Sequence, residues 1–159
     1  MIRLQFSAYP GIVSRAIRWL THSWCSHVDI VMPDGSLLGA HLQTGVLVRP
    51  AGYAPFTQAR ILGLPAGKTT TDHFYDFSLS QVGKPYDLTA ILAFVANREW
   101  QTPDRWFCSE LIAAALSEAK FFTHPLATAA NLISPADLYL VCSAFSPAED
   151  EPPTKKEVP

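Results

Sequence analysis

Charge is scarce in this chain and forms no cluster. Asp, Glu, Lys and Arg make up 16% of the residues, the net charge is −2, and the cations are scattered along the sequence. A phosphate backbone therefore finds no basic patch to dock on, and nucleic acid is not expected as a partner. Cysteine is sparse as well. Three residues form neither an even disulfide framework nor a Cys-x-x-Cys pair, which points to reduced thiols and away from structural zinc. The five histidines, at 22, 27, 41, 73 and 124, lack His-x-x-x-His or His-Glu-x-x-His spacing, so the spacing supports no metal site and no cofactor is expected. A long apolar run is missing too: Met1 to Ser7 is followed by Pro10-Gly11, and neither a signal peptide nor a membrane span is expected there. The expectation is a chain that stays in the cytoplasm as encoded, with export by another route left open.

What is present is a body of ordinary globular composition, 48% hydrophobic over 159 residues. It reads as one domain over 1–145, with a disordered tail over 146–159 where Pro, Glu, Asp and Lys replace any apolar period. Arg3 to Ala8 reads as a strand and Ile12 to His22 as a helix with Ile12, Ala16, Ile17 and Leu20 at helical spacing. Ser26 to Met32 and Ser36 to Leu42 form an antiparallel hairpin about Pro33-Asp34-Gly35, followed by strands at Val46 to Val48 and Ala59 to Leu64. Thr70-Thr71-Asp72 then caps a helix running to a stop at Gly83, and Asp87 caps a second helix over Leu88 to Val95. A loop over Asn97 to Asp104 precedes a helix from Cys108 to Lys120, and Ser134 to Leu138 leads into a closing strand, Tyr139 to Ser143. The fold class is α+β, with a small antiparallel sheet or open barrel packed against helices.

Two segments carry chemistry. Phe107-Cys108-Ser109-Glu110-Leu111 puts a cysteine on the first turn of a helix, where free backbone N–H groups and the positive end of the helix dipole stabilise a thiolate. Glu110 is expected to face away from the sulfur, because an inward carboxylate would oppose ionisation of the thiol. Ser26-His27-Val28-Asp29-Ile30 alternates at strand period, so His27 and Asp29 share one face and Val28 and Ile30 the other. A cysteine and a histidine on rigid elements are the minimum constellation for thiol-based acyl transfer. Cys25 and Cys142 sit in apolar contexts and read as structural. His22, His73 and His124 read as solvated or capping.

The ordered set Ser26-His27-Val28, Pro33-Asp34-Gly35, Gly83-Lys84-Pro85-Tyr86-Asp87 and Phe107-Cys108-Ser109-Glu110-Leu111 resembles the circularly permuted NlpC-type papain-like cysteine hydrolases, in particular the YiiX/YaeF-like group. In that group the histidine precedes the cysteine, as His27 precedes Cys108 here. The resemblance, spanning roughly Phe6 to Val141, implies a papain-like fold with Cys108 as nucleophile and His27 as base. Tyr86 matches the aromatic of the family's Gly-x-Pro-Tyr element, with its hydroxyl near the developing oxyanion or its ring in the site wall; the alternative is a core tyrosine.

The third member departs from the pattern. The family usually places a Glu immediately before an Ala on the strand after the histidine, and here Gly39 precedes Ala40. A three-residue Pro33-Asp34-Gly35 loop pairs Met32 with Ser36, Asp29 with Gly39 and His27 with His41, whereas a two-residue turn shifts the register by one. Asp29, from the same face as His27, or His41, from across the ladder, then stands in as the orienting group.

The expected function is a cysteine peptidase, amidase or acyltransferase acting on amide or ester bonds, with a cell-wall peptide or peptidoglycan fragment as substrate. A lipid amide or ester is an alternative. Trp19, Trp24, Trp100 and Trp106 with Phe94 and Phe107 either line an acyl-binding groove or belong to the core. The rival from another class is a non-catalytic papain-like binding module, suggested by the missing third residue. A thiol-redox role lacks a Cys-x-x-Cys partner for Cys108.

Overall fold

Alternating apolar residues build a five-stranded, wholly antiparallel open sheet. The structure, a computed structural model, describes residues 1–86 and 105–146. Its strands are β1 (Ile2–Ala8), β2 (His27–Val31), β3 (Leu37–His41), β4 (Gly45–Arg49) and β5 (Gln58–Leu64), in the order β4-β3-β2-β1-β5. The helices are α1 (Ile12–Leu20), α2 (Lys68–Ser80), α3 (Cys108–Glu118) and α4 (Pro135–Ser143), with a 3-10 turn at Ala130–Leu132. Helix Leu88 to Val95 with its Asp87 cap and Phe94, the loop carrying Trp100, and the tail beyond Ser146 lie outside the described residues.

The register of β1 against β2 sets Leu4 beside Ile30 and Phe6 beside Val28. These four side chains are fully buried in one core with Leu38, Ala40, Leu111, Ile112 and Leu116. Helix α3 packs across β2 and β3, and its run of Leu, Ile and Ala supplies the small and branched side chains that allow close approach. The opposite face of β2 carries His27 and Asp29 by period-2 alternation. In the β2–β3 hairpin, Ile30 pairs with Leu38 and Val31 with Leu37, and Met32 N–H bonds Ser36 C=O at 2.8 Å. This is the register of the three-residue turn, and its continuation sets Asp29 across from Gly39.

Two expectations are corrected. The segment from Tyr139 to Ser143 is helical, because Ser134 and Asp137 cap α4 reciprocally: Ser134 Oγ accepts the Asp137 N–H at 3.2 Å, and Asp137 Oδ2 accepts the Ser134 N–H at 3.0 Å. Pro135 at the first helical position completes a strong start signal. It overrides the β-like composition of Leu138-Tyr139-Leu140-Val141, and Leu138 and Cys142, four apart, are buried as a helical stripe requires. Helix α2 begins at Lys68, with Gly67 at its cap, instead of at the Thr70-Thr71-Asp72 cluster. Lys68 and Asp72 form an exposed i,i+4 ion pair that this earlier start makes available.

Removing the α4 cap with Ser134→Ala is expected to lower unfolding free energy by about 1 kcal/mol, measured by urea unfolding. An unchanged midpoint would show that the cap contributes nothing.

Candidate active site

Helix α3 presents Cys108 at its first position, with Phe107 in extended conformation as the N-cap. Glu110 Oε2 accepts the Phe107 N–H at 3.1 Å, so its charge acts on the helix N-terminus and holds the entry of the chain. Ser109 Oγ donates to the Ile133 carbonyl at 2.6 Å and ties the same turn to the segment before α4. The sulfur-bearing residue is thus fixed from both sides. Cys108 is only 1% exposed.

Strand β2 supplies His27, whose Nε2 lies 2.9 Å from Asp29 Oδ1. The Cys108 sulfur stands close enough to His27 to help raise its pKa, after the charge of Asp29. With Nε2 committed to Asp29, Nδ1 is the ring nitrogen left for the sulfur. Imidazole and carboxylate are therefore bonded, and the sulfur, from a residue about eighty positions along the chain, is their neighbour.

Asp29 is fully buried and bonded by two further groups. His41 Nε2 lies 3.2 Å from Oδ1, and the Tyr53 hydroxyl donates to Oδ2 at 3.0 Å. Because a carboxylate only accepts, both histidines carry a proton on Nε2. His41 shares its proton with the Tyr53 oxygen at 2.7 Å, and Tyr9 bonds the same oxygen. The His41 ring lies against that of His27, with centroids 4.3 Å apart. Both sequence alternatives for the orienting position are therefore joined: Asp29 bonds His27, and His41 bonds Asp29.

Gly39 makes room for this arrangement. A Cβ at position 39 would overlap Asp29 Oδ1 and stand 3.1 Å from Asp29 Cγ and 3.6 Å from His41 Nε2. The carboxylate fills the volume that a side chain at 39 would occupy.

Burial and charge oppose each other here. Burial alone would push His27 down, but the Asp29 charge and the Cys108 sulfur outweigh it and raise its pKa to about 10. Burial likewise would raise Asp29, but the charge and hydrogen bond of His27, with the bond from His41, hold its carboxyl well below the usual range. His41 is pushed down, chiefly by burial, with the like charges of His27 and Arg49 adding to the shift against the bond to Asp29. Burial and the Asp29 charge raise Tyr9 and Tyr53, so both hydroxyls stay protonated at neutral pH.

A cleft of about 420 Å³ opens beside the histidines, walled by Tyr9, Ile12, Ile17, His27, His41 and Tyr86. Tyr86 reaches this wall because the segment from Gly83 runs along β4: Val46 N–H bonds Lys84 C=O, and Gly83 N–H bonds Val46 C=O, both at 2.9 Å. Gly45, at φ 68, permits that approach, since a Cβ there would overlap the Lys84 carbonyl. The Tyr86 ring packs edge-on to Phe107 at 5.7 Å. Cys25 and Cys142 are buried in the core, where burial raises both thiols, that of Cys142 to about 12. His22, His73 and His124 are exposed and away from the cluster. Of the aromatic set, Phe107 is buried, Trp24 and Trp106 pack against the core, and Trp19 is exposed.

Sequence reading missed Tyr9 and Tyr53. Tyr53 lies in the β4–β5 connection and belongs to no motif; only the chain's return over the hairpin brings it to Asp29. Local spacing also missed that His27, Asp29 and His41 offer three donor atoms within 4.8 Å of one another. Their two imidazoles and one carboxylate are a donor set that suits a transition metal, gathered from two strands and so invisible to a helix-spacing rule.

No family model matches the chain, and no curated protein does. Among solved structures it is similar to a crystal structure described as metalloprotein yiiX from Escherichia coli O157:H7, DUF1105, at 19% identity and a TM-score of 0.60. The match covers 76% of this chain and 66% of that one, just under two thirds of its length. The fold is YiiX-like.

Two outcomes are expected. Gly39→Ala forces Asp29 out of its place, lowers stability by roughly 1–3 kcal/mol and brings the His27 pKa down when followed by NMR; an unshifted His27 would contradict the shared-volume account. In metal-free protein, the stability that His27 contributes is complete below its unfolded value of about 6.5 and is lost as pH rises towards the folded value of about 10. His27→Gln should flatten urea-unfolding free energy across that window, and a slope identical to wild type would show that His27 is not the group responsible.

Proposed function

We propose that the chain is a cysteine hydrolase or acyltransferase of the permuted NlpC-type papain-like kind, cleaving amide or ester bonds through a thioacyl intermediate on Cys108. One observation carries this reading: His27 is bonded to the buried Asp29 at 2.9 Å and stands near enough to the Cys108 sulfur for that sulfur to raise its pKa. That is the order nucleophile, base, orienter.

In this reading His27 Nδ1 takes the thiol proton as Cys108 Sγ attacks the acyl carbonyl. The C–S bond forms, and the carbonyl electrons move onto oxygen beside the Cys108 backbone N–H. The tetrahedral species collapses, the bond to the leaving amine or alkoxide breaks, and the imidazolium returns its proton to that group. Water, or another acceptor hydroxyl or amine, then loses a proton to His27 and attacks the thioester, releasing the acyl product and the free thiol. Asp29 fixes the ring and balances the imidazolium charge. Tyr86 forms part of the wall of the cleft beside His27, where the carbonyl would enter. A cell-wall peptide is the first substrate class proposed, with a lipid amide or ester as the alternative.

A second reading rests on the donor cluster. His27, Asp29 and His41 would hold a divalent ion, which supplies a Lewis acid when bound, and the similar yiiX structure is described as a metalloprotein. Such an ion would have to displace the protons that both Nε2 atoms now donate to Asp29, so metal and the His27–Asp29 bond exclude each other.

Iodoacetamide labelling at neutral pH with peptide mapping tests the first reading. Cys108 is expected to react much faster than Cys25 and Cys142, and His27→Ala to slow it by roughly 10²-fold, the scale of a lost general base. Asp29→Asn is expected to slow it without unfolding the protein. Equal labelling of all three thiols favours an inert binding module. Elemental analysis tests the second: about one equivalent of metal, lost in His41→Ala and kept in Cys108→Ala, selects the metal centre.

A further inference from the structure

Helix α1 is amphipathic, but it is mounted the wrong way round for a helix that packs on a core. At 100° per residue, Trp19, Ile12, Ala16, Leu20 and Val13 form one continuous apolar stripe, with Arg18 and Arg15 along one edge. The stripe faces outward: Ile12 is 84% exposed, Trp19 76%, Val13 49% and Leu20 41%. The buried positions are Ile17 and, unusually, Ser14.

Hydrogen bonds hold this orientation. Ser14 Oγ accepts the Tyr9 N–H at 3.2 Å and bonds Ser26 Oγ at 2.7 Å. Rotating the helix to bury the stripe would break both bonds and leave Ser26 unpartnered beside His27. The outward face is therefore built into the fold, and a large apolar stripe on display marks an interaction surface.

Charge indicates the occupant. The chain carries a net −2, yet residues 1–28 contain Arg3, Arg15 and Arg18 and not one Asp or Glu. A tryptophan and branched aliphatics on one face with arginines at the edge is the composition of a helix that lies in a lipid interface, where the arginines meet anionic headgroups. The surface is also continuous with the candidate active site. Ile12 lines both the cleft beside His27 and the shallow groove formed by Arg15, Arg18 and Trp19.

We propose that α1 docks this protein on an anionic lipid bilayer, seating Ile12, Val13, Trp19 and Leu20 among the acyl chains and bringing the mouth of the cleft to the interface. No membrane span is required, and among the described residues no helix is long and apolar enough to be one. The docking does not depend on turnover at Cys108, so it stands or falls apart from the proposed chemistry.

Vesicle flotation of the full chain carrying Cys108→Ala tests this. Wild-type α1 is expected to float with phosphatidylglycerol vesicles and less with phosphatidylcholine vesicles, more so at low salt. Ile12→Ser with Trp19→Ser should weaken phosphatidylglycerol binding by roughly tenfold or more, and Arg15→Gln with Arg18→Gln should remove the anionic preference. Circular dichroism checks that the variants fold, as the exposed positions of Ile12, Arg15 and Trp19 and the half-buried one of Arg18 should allow. Failure of the folded protein to float with phosphatidylglycerol overturns the proposal. So does a dimer in analytical ultracentrifugation that the Ile12/Trp19 variant abolishes while flotation is unaffected, because the stripe would then cover a second copy of the chain.

Discussion

A single buried carboxylate organises the candidate site. Asp29 has no contact with solvent and takes hydrogen bonds from His27, His41 and Tyr53. An ionised carboxylate in such a place is tolerable only when its acceptor capacity is met and a positive partner stands beside it. Each donor is fixed in turn: His27 by its strand, His41 by the hairpin register, Tyr53 by Tyr9 and by the Arg49 guanidinium, 5.4 Å over its ring. The proposed base is thus part of a network in which no member can turn without leaving another unpaired.

The hairpin was readable because turn chemistry sets register. Pro33-Asp34-Gly35 marks the turn and leaves a two-residue or a three-residue connection; the pairing of Ile30 with Leu38 selects the three-residue one, which places Asp29 opposite Gly39. Cys108 at a helix start was readable for a similar reason, since the apolar run behind it has helical length. The end of the chain was not. Leu138 to Val141 has β-like composition, and the decisive signal, Ser134-Pro135 with Asp137, is a capping pattern that composition alone overlooks. Tyr53 lay beyond reach, because its role comes from a long-range approach of a connection that has no periodicity. The donor trio was hidden for the same reason: its atoms converge in space from strands β2 and β3.

Helix α1 shows a different limit. Its stripe of Ile12, Ala16, Ile17 and Leu20 reads naturally as a core face; periodicity predicts a helix correctly there, but only Ile17 of the four is buried. Periodicity does not say which side faces the core. Two serine hydrogen bonds, Ser14 to Tyr9 and to Ser26, decide that in this molecule.

The crowding at Gly39 has a further implication. Positions 29 and 39 compete for one parcel of space, so they form a coupled pair in which only one can bear a polar arm. Moving the acid across the ladder is sterically a swap: a carboxylate at 39 with a minimal residue at 29 would hand His27 the same charge from the opposite strand. The hairpin thus offers two solutions to one geometric demand, and the side chain at 39 has room only once the one at 29 has been cut back.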